Sequence, residues 1–328
     1  MCPNSRSSSA SRARSTAGEQ GAVLLLVLLV LALISVLILS WAQEWRMELR
    51  LASNYREASQ CRRLAEGGVY YALGKLVAAK QAEMNAATSG QPLAPGSVWC
   101  GDHRPYQIQL PEGQVEIRLE DEGGKINLNR APGDLLYKLF LALRVPPEQI
   151  RVMVDSIQDW RSGGEQPRPY GAKSAFYLGL EPPYVAKSGA FETVEELSWV
   201  HGFEGSPMIP RLGEWLTVQQ VAMGVDANTA PLQVLLGMGL PLDVAQTIVS
   251  ARQVMPFRSL EEIGALAQMS LTDPARQLTL QSSPFFTIKS TGMINKKGGS
   301  RTIRAIVRVD VSQEVPWEIL FWVDDSSG

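Results

Sequence analysis

The spacing of apolar residues changes period several times along this chain. From Gly21 to Ala42 it reads GAVLLLVLLVLALISVLILSWA, with no charged residue. About 20 apolar residues suffice for a helix to cross a bilayer, so residues 22–42 are expected to form a transmembrane span. From Glu44 to about Ala79 there is no proline, and Met47, Leu51, Tyr55, Ala58, Cys61, Ala65, Val69, Ala72 and Leu76 recur at steps of three and four. That spacing makes a single apolar stripe on a helix, while Arg46, Glu48, Arg50, Arg56, Glu57, Arg62, Arg63 and Glu66 face away from it. Span and stripe together predict one long helix whose second half is covered by a globular domain.

Beyond the loop from Ser89 to Gly96 the period becomes two. Val115, Ile117 and Leu119 alternate with Glu116, Arg118 and Glu120, and near the C-terminus Ile303, Ala305, Val307, Val309 and Val311 alternate with polar residues. Phe285–Thr291 and Trp317–Val323 are two further strand candidates. Alternation with one polar face predicts an antiparallel sheet covered on one side, with the long helix as the cover. His103 is placed in a loop beside Asp102.

Between these strands, from Gly123 to Ser283, the pattern is helical and duplicated. INLNRAPGDLLYKL from Ile126 matches VDANTAPLQVLLGM from Val225, and AFETVEELSWV from Ala190 matches PFRSLEEIGAL from Pro256. Asn129 and Asn228 are read as N-caps, with prolines in the first turn. Thr193 with Glu196, and Ser259 with Glu262, have the spacing of capping boxes. The first copy carries an extra Gly- and Pro-rich loop, Arg161–Lys187. The duplication resembles helix-hairpin-helix units, some of which bind DNA phosphates at a helix N-terminus. Gly237-Met238-Gly239 could pass for such a hairpin, but the first copy has Leu143-Arg144-Val145-Pro146 there.

The fold expected is therefore α+β: a pilin-like long N-terminal helix on an antiparallel sheet, with a large all-α insert of two helix-hairpin-helix/SAM-like repeats. The expected divisions are residues 1–21 as a leader, 22–42 as the span, 43–122 and 284–328 as the two parts of the sheet domain, and 123–283 as the insert.

Composition narrows the function. A net charge of −2 gives no electrostatic case for a nucleic-acid partner. The two histidines, His103 and His201, have no second metal-type ligand close in sequence, and Cys2, Cys61 and Cys100 are too scattered for a zinc or redox motif. Asp121-Glu122 sits at a strand end, Glu195-Glu196 lies in a capping box, and His201 is read as the last turn of a helix. No nucleophile, base and oxyanion donor assemble, so no enzyme is expected. Arg6, Arg12 and Arg14 precede the span and should stay cytoplasmic, which directs the rest outward. A cleaved secretory signal would have a shorter apolar run and a small-residue cleavage site, which Ser40-Trp41-Ala42-Gln43 does not supply. Cys61 and Cys100 would then both lie in an oxidising compartment, where a disulfide between them is expected.

A polar leader closed by Gly21, with the apolar helix starting at Ala22, resembles the leader of type IV pilins and type II secretion pseudopilins. That resemblance implies cleavage after Gly21 by a prepilin peptidase and methylation of the new terminus, Ala22. The resemblance becomes more specific with Leu49-Arg50-Leu51-Ala52, the run Asp121–Asn129 (DEGGKINLN), Asp159-Trp160-Arg161, the run Phe191–Leu197 (FETVEEL), and Asn228-Thr229-Ala230-Pro231. Together with the order of elements, these resemble the general secretion pathway protein K family of type II secretion minor pseudopilins over nearly the whole chain. The resemblance implies a single-pass inner-membrane protein with a periplasmic C-terminal domain. Its implied role is to cap a pseudopilus that exports folded proteins, with minor pseudopilins I and J and the major pseudopilin G as partners. Most pilin-like subunits have Glu at the fifth mature position. Here that position is Leu26, which fits a subunit with nothing above it. The alternative function is DNA binding by the insert in a type IV pilus or DNA-uptake system.

One departure concerns metal. Family members often carry an acidic cluster suited to calcium after Asp-Trp, followed by Gly-Ala-Glu. Here Asp155, Asp159 and Glu165 remain as candidate calcium ligands, but the later triplet is Gly171-Ala172-Lys173. A solvated loop without a cofactor is the expectation.

Overall fold

The computed structural model describes residues 16–89, 99, 101–221, 224–267, 278–294 and 299–325, the side chains of 16–20, 87, 267 and 325 excepted. Cys2 and Cys100, most of the leader and the loop 90–98 lie outside the described residues. Two compact units are present, Met1–Ser59 and Gln60–Gly328. Helix α1, Thr16–Ser89, contributes to both.

In the first unit every residue from Gly21 to Arg50 is exposed. This is the only helix long and apolar enough to cross a membrane among the described residues. The stripe read from the sequence continues through Met47, Leu51 and Tyr55, which are 72%, 61% and 75% exposed. Its burial begins at Cys61.

In the second unit Cys61, Ala65, Val69, Ala72 and Leu76 of α1 are buried against a five-stranded antiparallel sheet. The strands are β1 Asp102–Leu110, β2 Gly113–Asp121, β7 Phe285–Met293, β8 Ser300–Val309 and β9 Trp317–Asp325, in the order β1-β2-β7-β8-β9. Val115, Ile117, Leu119, Ile303, Ala305, Val307 and Val309 point to the helix and are at most 3% exposed, as their alternation requires. Close approach is made by missing side chains: a Cβ on Gly292 would strike the backbone carbonyl of Cys61 and lie 2.8 Å from the amide of Ala65. Strand β1 is absent from the sequence reading, and His103 belongs to it rather than to a loop. Pro105 masked the signal, yet β1 is an edge strand, where a missing amide donor is tolerated.

The insert leaves the sheet after Asp121 and rejoins it before Phe285. It contains β3 Ile126–Asn127, α2 Gly133–Ala142, α3 Pro147–Arg161, α4 Ser174–Tyr177, β4 Leu216–Thr217, β5 Val225–Asp226, α5 Leu232–Gly237, α6 Leu242–Val254, α7 Leu260–Ala267 and β6 Leu278–Thr279. Each half is closed by a short parallel pair, β3 with β4 and β5 with β6. Asn129 and Asn228 are not N-caps. Each instead exchanges two hydrogen bonds with a distant backbone, that of Phe191 at 2.9 and 2.7 Å and that of Phe257 at 3.0 and 2.9 Å. The N-caps are Pro132 and Pro231, one residue before each helix. The hairpins also match. Val145 N–H donates to Phe140 and Leu240 N–H to Leu235, with Arg144 and Gly239 in the left-handed region at φ 62° and 83°. Such 6→1 closures with a left-handed residue end helices abruptly and satisfy their last carbonyls.

Candidate functional site

Three places bear on function: the start of α1, the joint between sheet and insert, and the loop after α3.

At the first, Gly21, Ala22 and Leu26 lie on helical backbone, with Leu26 65% exposed on a surface free of charge. Cys61 is 1% exposed, and its Sγ donates to the carbonyl of Gly299 at 3.0 Å. Its expected partner, Cys100, is outside the described residues.

The joint is a buried polar cluster that alternation did not reveal. Glu120 stands on the face of β2 read as solvated, yet it is 3% exposed because the insert covers that face. Lys125, 2% exposed, donates to Glu120 at 2.9 Å and to Glu122 at 2.6 Å. Glu122 also accepts from Thr287 at 2.7 Å, and Lys289 lies 2.6 Å from Glu120. Burial pushes the Glu120 carboxyl up, but Lys125 and Lys289 outweigh it and hold the group at about 2. Burial likewise opposes the Lys125 charge, and the two carboxylates overcome it, so its pKa is raised.

Beside this cluster Asp121 ties the outgoing and returning chain together. Its carboxylate accepts from Gly123 N–H at 2.7 Å, from the Ser282 hydroxyl at 2.9 Å and from Ser283 N–H at 3.2 Å. Burial, and the nearby charge of Asp226, push the group up to about 7. A cleft of about 690 Å³ opens next to the joint, lined by charges of both signs that include Asp102, Glu120, Arg252 and Lys289. Burial lowers the pKa of His103 at its edge. Arg252 donates at 2.7 Å to the carbonyl of Ala227, which makes it part of the second repeat's framework.

The loop after α3 holds the carboxylates considered for calcium. Asp159 is fully buried, and Arg168 occupies both of its oxygens. Its Nη1 lies 2.6 Å from Oδ1 and its backbone N–H donates to Oδ2 at 2.9 Å. Asp155 accepts from Tyr170 N–H at 3.1 Å, while Glu165 is exposed at the surface. Lys173, 2% exposed, places its ammonium 2.6 Å from the carbonyl of Asp159 and 2.5 Å from that of Ser162. A calcium ion needs six to eight oxygens, several of them anionic. Among the described residues Asp155, Asp159 and Glu165 form no common metal-type group, both carboxylate oxygens of Asp159 are taken by Arg168, and its carbonyl is taken by Lys173. These residues do not fit calcium. Among the described residues no group of three metal-type side chains forms.

Of the residues considered for catalysis, Glu196 closes a capping box by accepting from Thr193 N–H at 3.1 Å, and Glu195 pairs with Arg304 at 2.6 Å. His201 follows a short 3₁₀ turn and contacts Glu204 at 3.0 Å.

Two models of type II secretion system protein K match consecutive stretches of the insert, residues 119–220 and 225–281. The type II secretion system protein K of Pseudomonas aeruginosa PAO1 is 24% identical over 257 residues, covering 75% of this chain and 76% of that protein. This chain belongs to the type II secretion system protein K family. It is thus a minor pseudopilin and a structural component of the secretion apparatus. Its fold resembles a chain in the crystal structure of the GspK-GspI-GspJ complex from enterotoxigenic Escherichia coli. The TM-score is 0.58 at 15% identity, covering 81% of this chain and 98% of that one.

Proposed function

We propose that this protein K caps the tip of the periplasmic pseudopilus, anchored in the inner membrane by residues 22–42 and assembled with minor pseudopilins I and J above the major pseudopilin G. The observation that carries this reading is the uncovered apolar stripe of α1 beyond the span: Met47, Leu51 and Tyr55 are all more than 60% exposed. A contiguous apolar stripe of this kind marks an assembly surface rather than a solvated one. Leu26 sets the position in the filament. A carboxylate in the bilayer costs at least about 2.5 kcal/mol on insertion scales unless a partner compensates it, and a topmost subunit meets no amine above it. The amine of Ala22, freed by prepilin peptidase after Gly21, remains available to the subunit below.

The insert is read as two helix-hairpin-helix/SAM-like units acting as a scaffold, with no catalytic role. Gly237 supports this over phosphate binding, because a Cβ there would lie 3.1 Å from the Cα of Leu139, so the glycine serves the packing of α5 on α2. N-terminal sequencing of membrane-extracted protein should begin at Ala22. Protein lacking residues 1–43 should form a one-to-one-to-one complex with the soluble parts of I and J. Crosslinking that finds this chain repeated along the shaft would refute the tip position.

A further inference from the structure

The ammonium of Lys173 sits in a cage of oxygens with no carboxylate against it. Two main-chain carbonyls lie at 2.6 and 2.5 Å, and the Ser162 hydroxyl lies at 3.5 Å. Both carbonyls belong to the end of α3, where the helix dipole favours positive charge. A buried ammonium is retained only where such acceptors replace its water. The guanidinium of Arg168 neutralises the side-chain carboxylate of Asp159, whose main-chain carbonyl Lys173 holds. Between these two cations the chain runs close over the helix: Gly171 has no room for a Cβ beside Asp159 and the carbonyl of Asp155, and its N–H donates back to Arg168 at 3.1 Å. The segment 168–173 is therefore held to the end of α3 by two positive charges, each bound to oxygens of residues 159–162. This is the task a hard divalent cation performs when it gathers carbonyl and carboxylate oxygens from a loop. Here the charges are covalently part of the loop and cannot dissociate.

We infer that Lys173, with Arg168, is a built-in substitute for a divalent cation, so that the insert of this protein K holds its loop without metal. The inference concerns only residues 155–173 and stands or falls apart from the tip position. It is tested on the full chain in detergent by thermal unfolding and by chymotryptic nicking after Tyr170, which is 51% exposed in the same segment, each in excess EDTA and in millimolar calcium chloride. The wild type should unfold at the same temperature and be nicked at the same rate in both. Lys173→Met should lower the midpoint by roughly 5 °C or more and speed nicking about tenfold, because charge-assisted hydrogen bonds to buried carbonyls are lost, and calcium should not reverse either change. Lys173→Glu should be equally weakened in EDTA. In calcium it should recover part of its midpoint and nicking resistance, since a carboxylate then joins the same oxygens. A wild-type midpoint that rises with calcium, a Lys173→Met protein as resistant as the wild type, or a Lys173→Glu protein indifferent to calcium would each overturn the inference.

Discussion

Replacing Lys125 by Met should weaken this protein more than the loss of a surface ion pair would, and the joint geometry sets the size of the effect. Lys125 is 2% exposed and bridges two carboxylates that are themselves 3% and 2% exposed. Methionine fills the space of the side chain but leaves Glu122 with only the Thr287 hydroxyl and Glu120 with Lys289. Removing one partner of a buried pair costs about 3–5 kcal/mol, chiefly because the charge left behind stays desolvated. At about 2–4 °C per kcal/mol for a body of this size, the midpoint should fall by roughly 6–20 °C. A double-mutant cycle with Glu122→Gln separates the pair from mere packing. If the desolvated carboxylate carries the cost, the double variant should recover at least about 1 kcal/mol relative to additivity, measured by urea unfolding of the globular part. A Lys125→Met protein within about 0.5 kcal/mol of wild type, or strict additivity in the cycle, would show that water reaches the joint and that the buried-cluster reasoning is wrong.

Other predictions follow from neighbouring geometry. The folded-state pKa of Asp121 is raised to about 7, so its contribution to stability is fully present below its ordinary value of 3.8 and lost as pH rises through 7. Asp121→Asn should therefore show a flatter stability profile than wild type between about pH 4 and 7, read by thermal melts across that range. Gly292→Ala should cost about 1–3 kcal/mol by denaturant unfolding, since the added methyl meets the backbone of α1 rather than a side chain that can turn away. A disulfide between Cys61 and Cys100 is the remaining expectation: alkylation mass analysis of periplasmically exposed protein should show a reductant-dependent mass, and equal masses would exclude it.

The legible parts of the fold were those where one face meets water and the other does not. Val115-Ile117-Leu119 and Ile303–Val309 alternate because α1 covers only one side of the sheet, and Cys61–Leu76 repeat at helical steps because the sheet covers only one side of α1. The same logic failed at Glu120. Its alternating position says solvent, but the insert, whose contact with the sheet has no periodic signature, buries it. Lys125 was equally hidden, since a lysine in DEGGKIN reads as exposed until Glu120 and Glu122 are seen around it. The Asn-x-Ala-Pro signature identified the duplication but suggested the wrong chemistry. The asparagines bond across 62 and 29 residues of chain, a tertiary clamp that no local window contains. At the loop after α3, Lys173 alone hinted that the acidic residues were not a metal site; that Arg168 occupies both oxygens of Asp159 required the fold.

The duplication explains why the insert can be both large and fixed. Each half closes on itself through its own asparagine clamp, left-handed hairpin residue and parallel strand pair, so neither depends on the other for its local form. What joins them is the face of α2 against α5, where Gly237 lets the helices approach within contact of Leu139. The joined body meets the sheet where Lys125 bridges the buried Glu120 and Glu122 and Asp121 accepts from Gly123, Ser282 and Ser283, with Arg304 of β8 on Glu195 as a further tie. A polar cluster of this kind adds little net stability over an apolar contact, but it tolerates only one arrangement, because any shift strands a buried charge. Rigidity at the joint is what the proposed terminal position requires: a body that swung freely on two connecting strands could not hold a defined surface at the end of a growing filament. On the proposed reading, the exposed stripe on α1 supplies an assembly surface, and the joint keeps the insert in one arrangement on the sheet.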